Sequence, residues 1–221
     1  MSRYMIHACN KRYWYVQEYL LPSLLNQGIA EDDVIVYLDN KDEGCLTSSI
    51  KSFESLKDVE GGTWHLQDDV IICSDFKQRT KQFEDEAIAC GICTEYDAYK
   101  EGGKVISKLL WYSFPCMFVK NALAGEWAEW VKNTASNMEL YKLFVKANKY
   151  DDTLFNEFIK TKYPDLKGYN IRPNLVNHID YLIGYSSITG RGEIITALYW
   201  DEPELVYQLK QNLLKKDVDK H

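Results

Sequence analysis

The chain has 221 residues, 46% of them hydrophobic and 14% aromatic, which supplies enough apolar side chain for a sizeable buried core. Its 33 acidic against 26 basic side chains leave a formal charge of −7, which argues against general binding along a phosphate backbone, since that needs a basic surface. No apolar run approaches the roughly 18 residues that span a bilayer, and Asn10-Lys11-Arg12 interrupts the first apolar stretch before it becomes a secretory core, so a cytoplasmic protein is expected.

Tyr4 to Cys9 reads as a short, largely buried strand, stopped by Asn10-Lys11-Arg12. Tyr13, Val16, Leu20 and Leu24 then recur at helical spacing, and Gly28 follows as a stop, so a helix is predicted from Tyr13 to Gln27. Asp33 to Leu38 is a second strand with Asp39-Asn40 at its carboxyl end. A helix from Thr47 to Leu56 and a third strand, Thr63 to Leu66, follow, the strand ending at Gln67-Asp68-Asp69. Strand, helix, strand, helix, strand implies an α/β fold with a mostly parallel, Rossmann-like central sheet flanked by helices.

Open α/β sheets bind ligands outside the carboxyl ends of their strands. Three polar clusters fall there: His7 to Arg12, Asp39-Asn40 and Asp68-Asp69. Each alone is also what any strand end looks like; together they mark one edge.

The second half is less regular. A helix is predicted from Asp75 to Cys90, then a polar loop from Glu95 to Lys104 containing Gly102-Gly103. Trp111 to Val119 reads as a strand with an irregularity at Pro115, and Leu123 to Val131 as a helix. Further helices are expected from Asp152 to Lys160 and, carrying a Leu205, Leu209, Leu213 stripe, from Glu202 to Lys216. With no repeat or linker, the chain is read as one domain: a first half to residue 75, a second to 200, and a C-terminal helix. The six cysteines are scattered and read as free thiols; Cys90-Gly-Ile-Cys93 has the spacing of half a zinc site, without a matching second pair.

Two adjacent carboxylates repel unless a cation, donors or solvent stabilise them, so Asp68-Asp69 is either an exposed turn or a place for a hard divalent cation. The segment Trp64-His-Leu-Gln-Asp-Asp-Val-Ile71 resembles the metal-binding segment of GT-A-fold nucleotide-sugar glycosyltransferases, which follows a Rossmann-like half, and Gln67 departs from it where an acid often stands. Pro173-Asn-Leu-Val-Asn-His178 and the Gly- and Ser-containing stretch after it resemble the late segment of small bacterial and phage-type members. The resemblance implies Asp69 and His178 as ligands of Mn²⁺ or Mg²⁺, with Asp68 toward the ribose or sugar. His178 also fits a histidine held by hydrogen bonds beneath a loop. The resemblance further implies an acidic residue at a helix start facing the acceptor. Here that is Asp152 or, less favoured, Asp151, either of which also suits a helix cap.

His7, Asn10 and Asp39 are then candidates for the nucleoside, and Lys11, Arg12 and Arg191 for the diphosphate. Trp111, Tyr112 and Phe114 are candidate walls for the acceptor. The implied activity is transfer of a sugar from a nucleotide-sugar donor, with a UDP-linked sugar one candidate, to an acceptor hydroxyl, residues 1–75 being the nucleotide-binding half and 76–200 the acceptor-side half. Acceptors in view are a glycan, a lipid-linked sugar, a protein or a modified DNA base. The alternatives are a sugar nucleotidyltransferase, disfavoured because Ala8-Cys-Asn-Lys-Arg12 contains no Gly, and a non-catalytic nucleotide-sugar-binding module.

Overall fold

Strand β1, Arg3–Cys9, is covered on both faces because its alternation sends apolar groups each way. Tyr4, Ile6 and Ala8 enter one core, while Met5 and His7 face the other side. The computed structural model describes residues 2–92, 104–106, 114–134, 151–179 and 202–218. Strands β2 (Val34–Asp39) and β3 (Gly62–Gln67) flank β1 and run parallel to it, as expected.

The remaining strands complete a seven-stranded sheet: β5 (Ile88–Cys90), β6 (Lys104–Ile106), β7 (Cys116–Lys120) and β8 (Tyr169–Ile171), in the order β2-β1-β3-β7-β5-β8-β6. β7 runs antiparallel to β3 and to β5, and β6 antiparallel to β8, so five strands share one direction. Strands β4 (Val70–Ile72) and β9 (Val176–His178) form a separate antiparallel pair.

Helices close both faces. On one side lie α1 (Tyr13–Tyr15), a π-helical turn (Val16–Leu20), α2 (Leu21–Asn26) and α4 (Phe76–Lys81), covering Tyr4, Ile6, Trp64, Leu66 and Phe118. On the other lie α3 (Cys45–Leu56), α5 (Asn121–Thr134) and α6 (Asp151–Lys162), whose Phe53, Trp127 and Phe155 pack on Met117 and Val119. The last helix, α7 (Pro203–Val218), buries Val206, with Leu205 and Leu209 packed on the first core. Among the described residues no helix is long and apolar enough to cross a membrane.

Three predicted elements differ. The helix expected over Tyr13 to Gln27 is interrupted: Pro22 has no N–H to donate and its ring crowds the preceding turn, which widens to π geometry. The helix expected from Asp75 to Cys90 stops at Lys81. Glu84-Asp85-Glu86 put negative charge where a continuing helix would carry its own negative end, and Ile88–Cys90 pairs with β7 and β8 instead. The strand expected from Trp111 begins at Cys116, after Pro115; residues 111–113 lie outside the described set, as does most of the expected loop from Glu95 to Lys104.

Candidate functional site

The register of the sheet brings the three carboxyl-end clusters together. Cys9 stands opposite Asp39 and His7 opposite Gln67, and the Asp68 N–H donates to the His7 carbonyl at 3.0 Å. A cavity of about 360 Å³ opens at this edge and runs between the sheet and α3. It is lined by Lys11, Arg12, Asp39 and Asp68 from the loops after the strands, by His7 and His65 from the sheet, by Ser49 of α3, by Phe114 and, from the start of α6, by Asp151.

Asp68 is buried and fully engaged. The Arg12 Nε donates to its Oδ1 at 2.6 Å, Arg12 Nη2 pairs with the same oxygen, and the Cys9 N–H donates to Oδ2 at 2.7 Å. The Asp68 carboxylate thereby fastens the loop after β1. Burial pushes its pKa up, with Arg12 opposing and Asp69 reinforcing that shift. For Arg12, burial works against the charge, but the Asp69 and Asp68 carboxylates outweigh it and hold the guanidinium protonated.

Asp69 is different. Its Oδ2 lies 3.7 Å from Arg12 Nη1, while its buried Oδ1 has no hydrogen-bond partner among the described residues. Pairing of β4 with β9 sets His178 across from Val70, and the Ile179 N–H donates to the Asp69 carbonyl at 2.7 Å. His178 Nδ1, also buried and without such a partner, therefore stands 3.9 Å from Asp69 Oδ1. Two residues 109 positions apart thus bring buried polar atoms without hydrogen-bond partners among the described residues close to one another. A divalent cation takes oxygen and nitrogen ligands at roughly 2.0–2.6 Å, so a 3.9 Å separation suits two atoms on one ion. Asp68 and Asp69 together carry two negative charges against one on Arg12, which leaves the locality net negative and favourable to a cation.

Asp39 lines the cavity, but its carboxylate also closes the following loop. Oδ1 accepts the N–H groups of Lys41 at 3.3 Å and Glu43 at 3.0 Å, and Oδ2 that of Gly44 at 2.9 Å. Burial would raise its pKa; the N–H groups of Glu43, Gly44 and Lys41 outweigh burial and lower it. Gly44, at φ 89°, adopts a conformation that favours glycine at the entry to α3. Asn10 is exposed and donates from Nδ2 to the Asn40 carbonyl at 3.2 Å, tying the first two strand ends together rather than lining the cavity.

In the cavity lining Asp151 accepts from the Ser49 hydroxyl at 2.6 Å and from the Asp152 N–H at 3.0 Å. Burial pushes its carboxyl up to about 6, against the Ser49 hydrogen bond. Asp152 is half-buried, accepts the Thr153 N–H at 2.7 Å and does not line the cavity. Beneath the opening, His7 Nε2 and His65 Nδ1 are 2.9 Å apart. Burial lowers the His7 pKa to about 4, and burial, then His7, hold that of His65 well below the usual histidine value, so both rings are neutral.

Sequence reasoning overlooked His65, Ser48 and Ser49, which all line the cavity. The signal for His65 was its period-2 spacing with Gln67 in an otherwise buried strand. Arg191, Trp111, Tyr112 and Cys93 lie outside the described residues; Cys9, Cys73 and Cys116 are free, and Cys90 is buried in β5.

No family model and no curated protein matches the chain. Among solved structures it is similar to a glycosyltransferase involved in the glycosylation of the major capsid of PBCV-1, at 11% identity and a TM-score of 0.44, over 95% of this chain and 99% of that one. It is also similar to A197 from STIV, at 14% identity and a TM-score of 0.41, over 80% and 85% of the two chains. These likenesses are distant, and the functional reading rests on the site's own geometry.

Proposed function

We propose that the chain is a metal-dependent glycosyltransferase that moves a sugar from a nucleotide-sugar donor to an acceptor hydroxyl. The observation that carries this reading is the facing pair of unpartnered atoms, Asp69 Oδ1 and His178 Nδ1, linked through Arg12 to a cavity at the carboxyl edge of three parallel strands. Asp69 and His178 are the residues that would hold Mn²⁺ or Mg²⁺, and the imidazole suits Mn²⁺ better. A bound cation supplies Lewis-acid stabilisation of the negative charge that grows on a departing diphosphate.

The chain's own groups do the rest. Lys11 and Arg12 line the cavity, where they offset diphosphate charge; Arg12 is already oriented by Asp68. As the acceptor oxygen bonds to the anomeric carbon and the bond from that carbon to the diphosphate breaks, the acceptor proton passes to a carboxylate. Asp151 fills that role better than Asp152, because it lines the cavity and burial makes it a stronger base. Asp152 serves the first turn of α6, where its charge faces the helix's positive end. Mn²⁺ binding, followed by electron paramagnetic resonance without any substrate, tests the metal assignment. The free-ion signal should diminish with wild type and persist with Asp69→Ala; an equal loss with both proteins removes Asp69 from the site.

A further inference from the structure

The transfer chemistry leaves His65 unused, yet its surroundings give it a defined polarity. Ser52 has one hydroxyl proton, and that proton goes to the Ser49 carbonyl at 2.9 Å, since a carbonyl can only accept. Toward His7 Nδ1, at 3.4 Å, Ser52 Oγ therefore offers a lone pair, and Nδ1 carries the proton. A neutral imidazole has only one N–H, so His7 Nε2 is an acceptor and His65 Nδ1 donates to it across 2.9 Å. His65 Nε2 is then a bare lone pair. His65 is 2% exposed, lines the cavity, and has no partner for Nε2 among the described residues. A buried acceptor left this way is costly unless a ligand donates to it.

We propose that the Ser52–His7–His65 chain presets the lone pair on His65 Nε2 to accept a hydrogen bond from an N–H group on the donor's nucleobase, bound in the cavity. This rests on the transferase reading. A sugar brings several hydroxyls, each needing a partner, whereas a base has two apolar faces and a short polar edge. The cavity offers apolar surface to a base: Ala8 and Phe114 line it together with His65, and the Phe53 ring centroid lies 4.3 Å from that of His65. The cationic Lys11 and Arg12 line the same cavity, where they can meet the diphosphate.

The test is calorimetric titration of UDP, TDP, GDP, CDP and ADP in Mn²⁺, with inorganic pyrophosphate as the base-free probe. His65→Phe should weaken the tightest-binding nucleoside diphosphate about tenfold or more and leave pyrophosphate unchanged. The same nucleotide methylated at its pairing-edge nitrogen should lose a similar factor on wild type and little further on His65→Phe. His65→Gln, which keeps an acceptor oxygen, should recover part of the loss. Should His65→Phe fail to fold, the methylated nucleotide on wild type decides alone. Unchanged nucleotide affinity in a folded variant, an equal loss for pyrophosphate, or a methylated nucleotide bound as well as its parent overturns the base assignment and leaves the transferase reading standing. If wild type binds none of the five nucleotides, the transferase reading falls and the assignment with it.

Discussion

Replacing Asp151 by Asn should make the protein more stable and less active at once. The buried carboxyl has its pKa raised from 3.8 to about 6, so the native state holds a proton that the unfolded chain releases between those values. Native stability therefore falls as pH rises through that window, and the loss is complete above pH 6. At about 1.4 kcal/mol per unit the ionised group costs about 3 kcal/mol at pH 7.5. Asn keeps an acceptor for Ser49 but turns an amide donor toward the Asp152 N–H, which gives back about 1 kcal/mol. The net gain of about 2 kcal/mol corresponds to a Tm increase of roughly 4–8 °C for a chain of this size. At pH 4 the gain should vanish, because wild-type Asp151 is then protonated as well. Transfer should fall by about 10²–10⁴-fold, the range for losing a general base. Calorimetric scans at pH 4 and 7.5 read the first effect and initial rates the second. A variant that melts below wild type at pH 7.5, or whose Tm offset is the same at both pH values, would refute the reasoning.

Other residues give sharper single outcomes. Arg12→Ala leaves Asp68 and Asp69 buried without their counter-charge and should destabilise by about 3–5 kcal/mol, measured by urea unfolding; a loss under 1 kcal/mol contradicts the ion pair's role. Asp39→Ala removes the acceptor for three loop N–H groups, so donor KM should rise several-fold while amide exchange accelerates at Lys41, Glu43 and Gly44. Raised KM with unchanged exchange would show instead that Asp39 acts on the donor directly. Gly125→Ala should destabilise α5 although Ala is the better helix former. The new Cβ would stand 2.5 Å from Lys57 Cβ, and a loss of about 1–3 kcal/mol exceeds the propensity gain of about 1; a higher Tm would show that the contact relaxes.

What the sequence reveals depends on how local each cause is. β1, β2 and β3 announce themselves through apolar alternation and polar stops, and their right-handed crossovers dictate parallel pairing, so the carboxyl edge can be drawn before any coordinates. The reversed direction of β7 and the three-residue strand β5 are set by distant partners, and Ile88-Ala-Cys90 alone looks as helical as its neighbours. The same division holds at the site. Asp68, Asp69 and His178 stand in short recognisable segments, yet the saturation of Asp68 by Arg12 and the Cys9 N–H, which separates its task from that of Asp69, emerges only from packing. Asp151 and Asp152 are equivalent helix-start acids in sequence; α6 turns the first into the cavity. His65 stands in a segment whose carboxylates draw the eye, and its significance comes from the neighbouring strand's His7.

The most direct test of the transferase reading is a screen of nucleotide sugars for release of nucleoside diphosphate, run in Mn²⁺ and in excess EDTA. Hydrolysis to water stands in for transfer, so no acceptor need be known. The expected result is slow turnover of at least one nucleotide sugar in Mn²⁺, abolished by EDTA and by Asp69→Ala. Turnover undiminished in EDTA, or no donor cleaved by the folded protein in Mn²⁺, would contradict it.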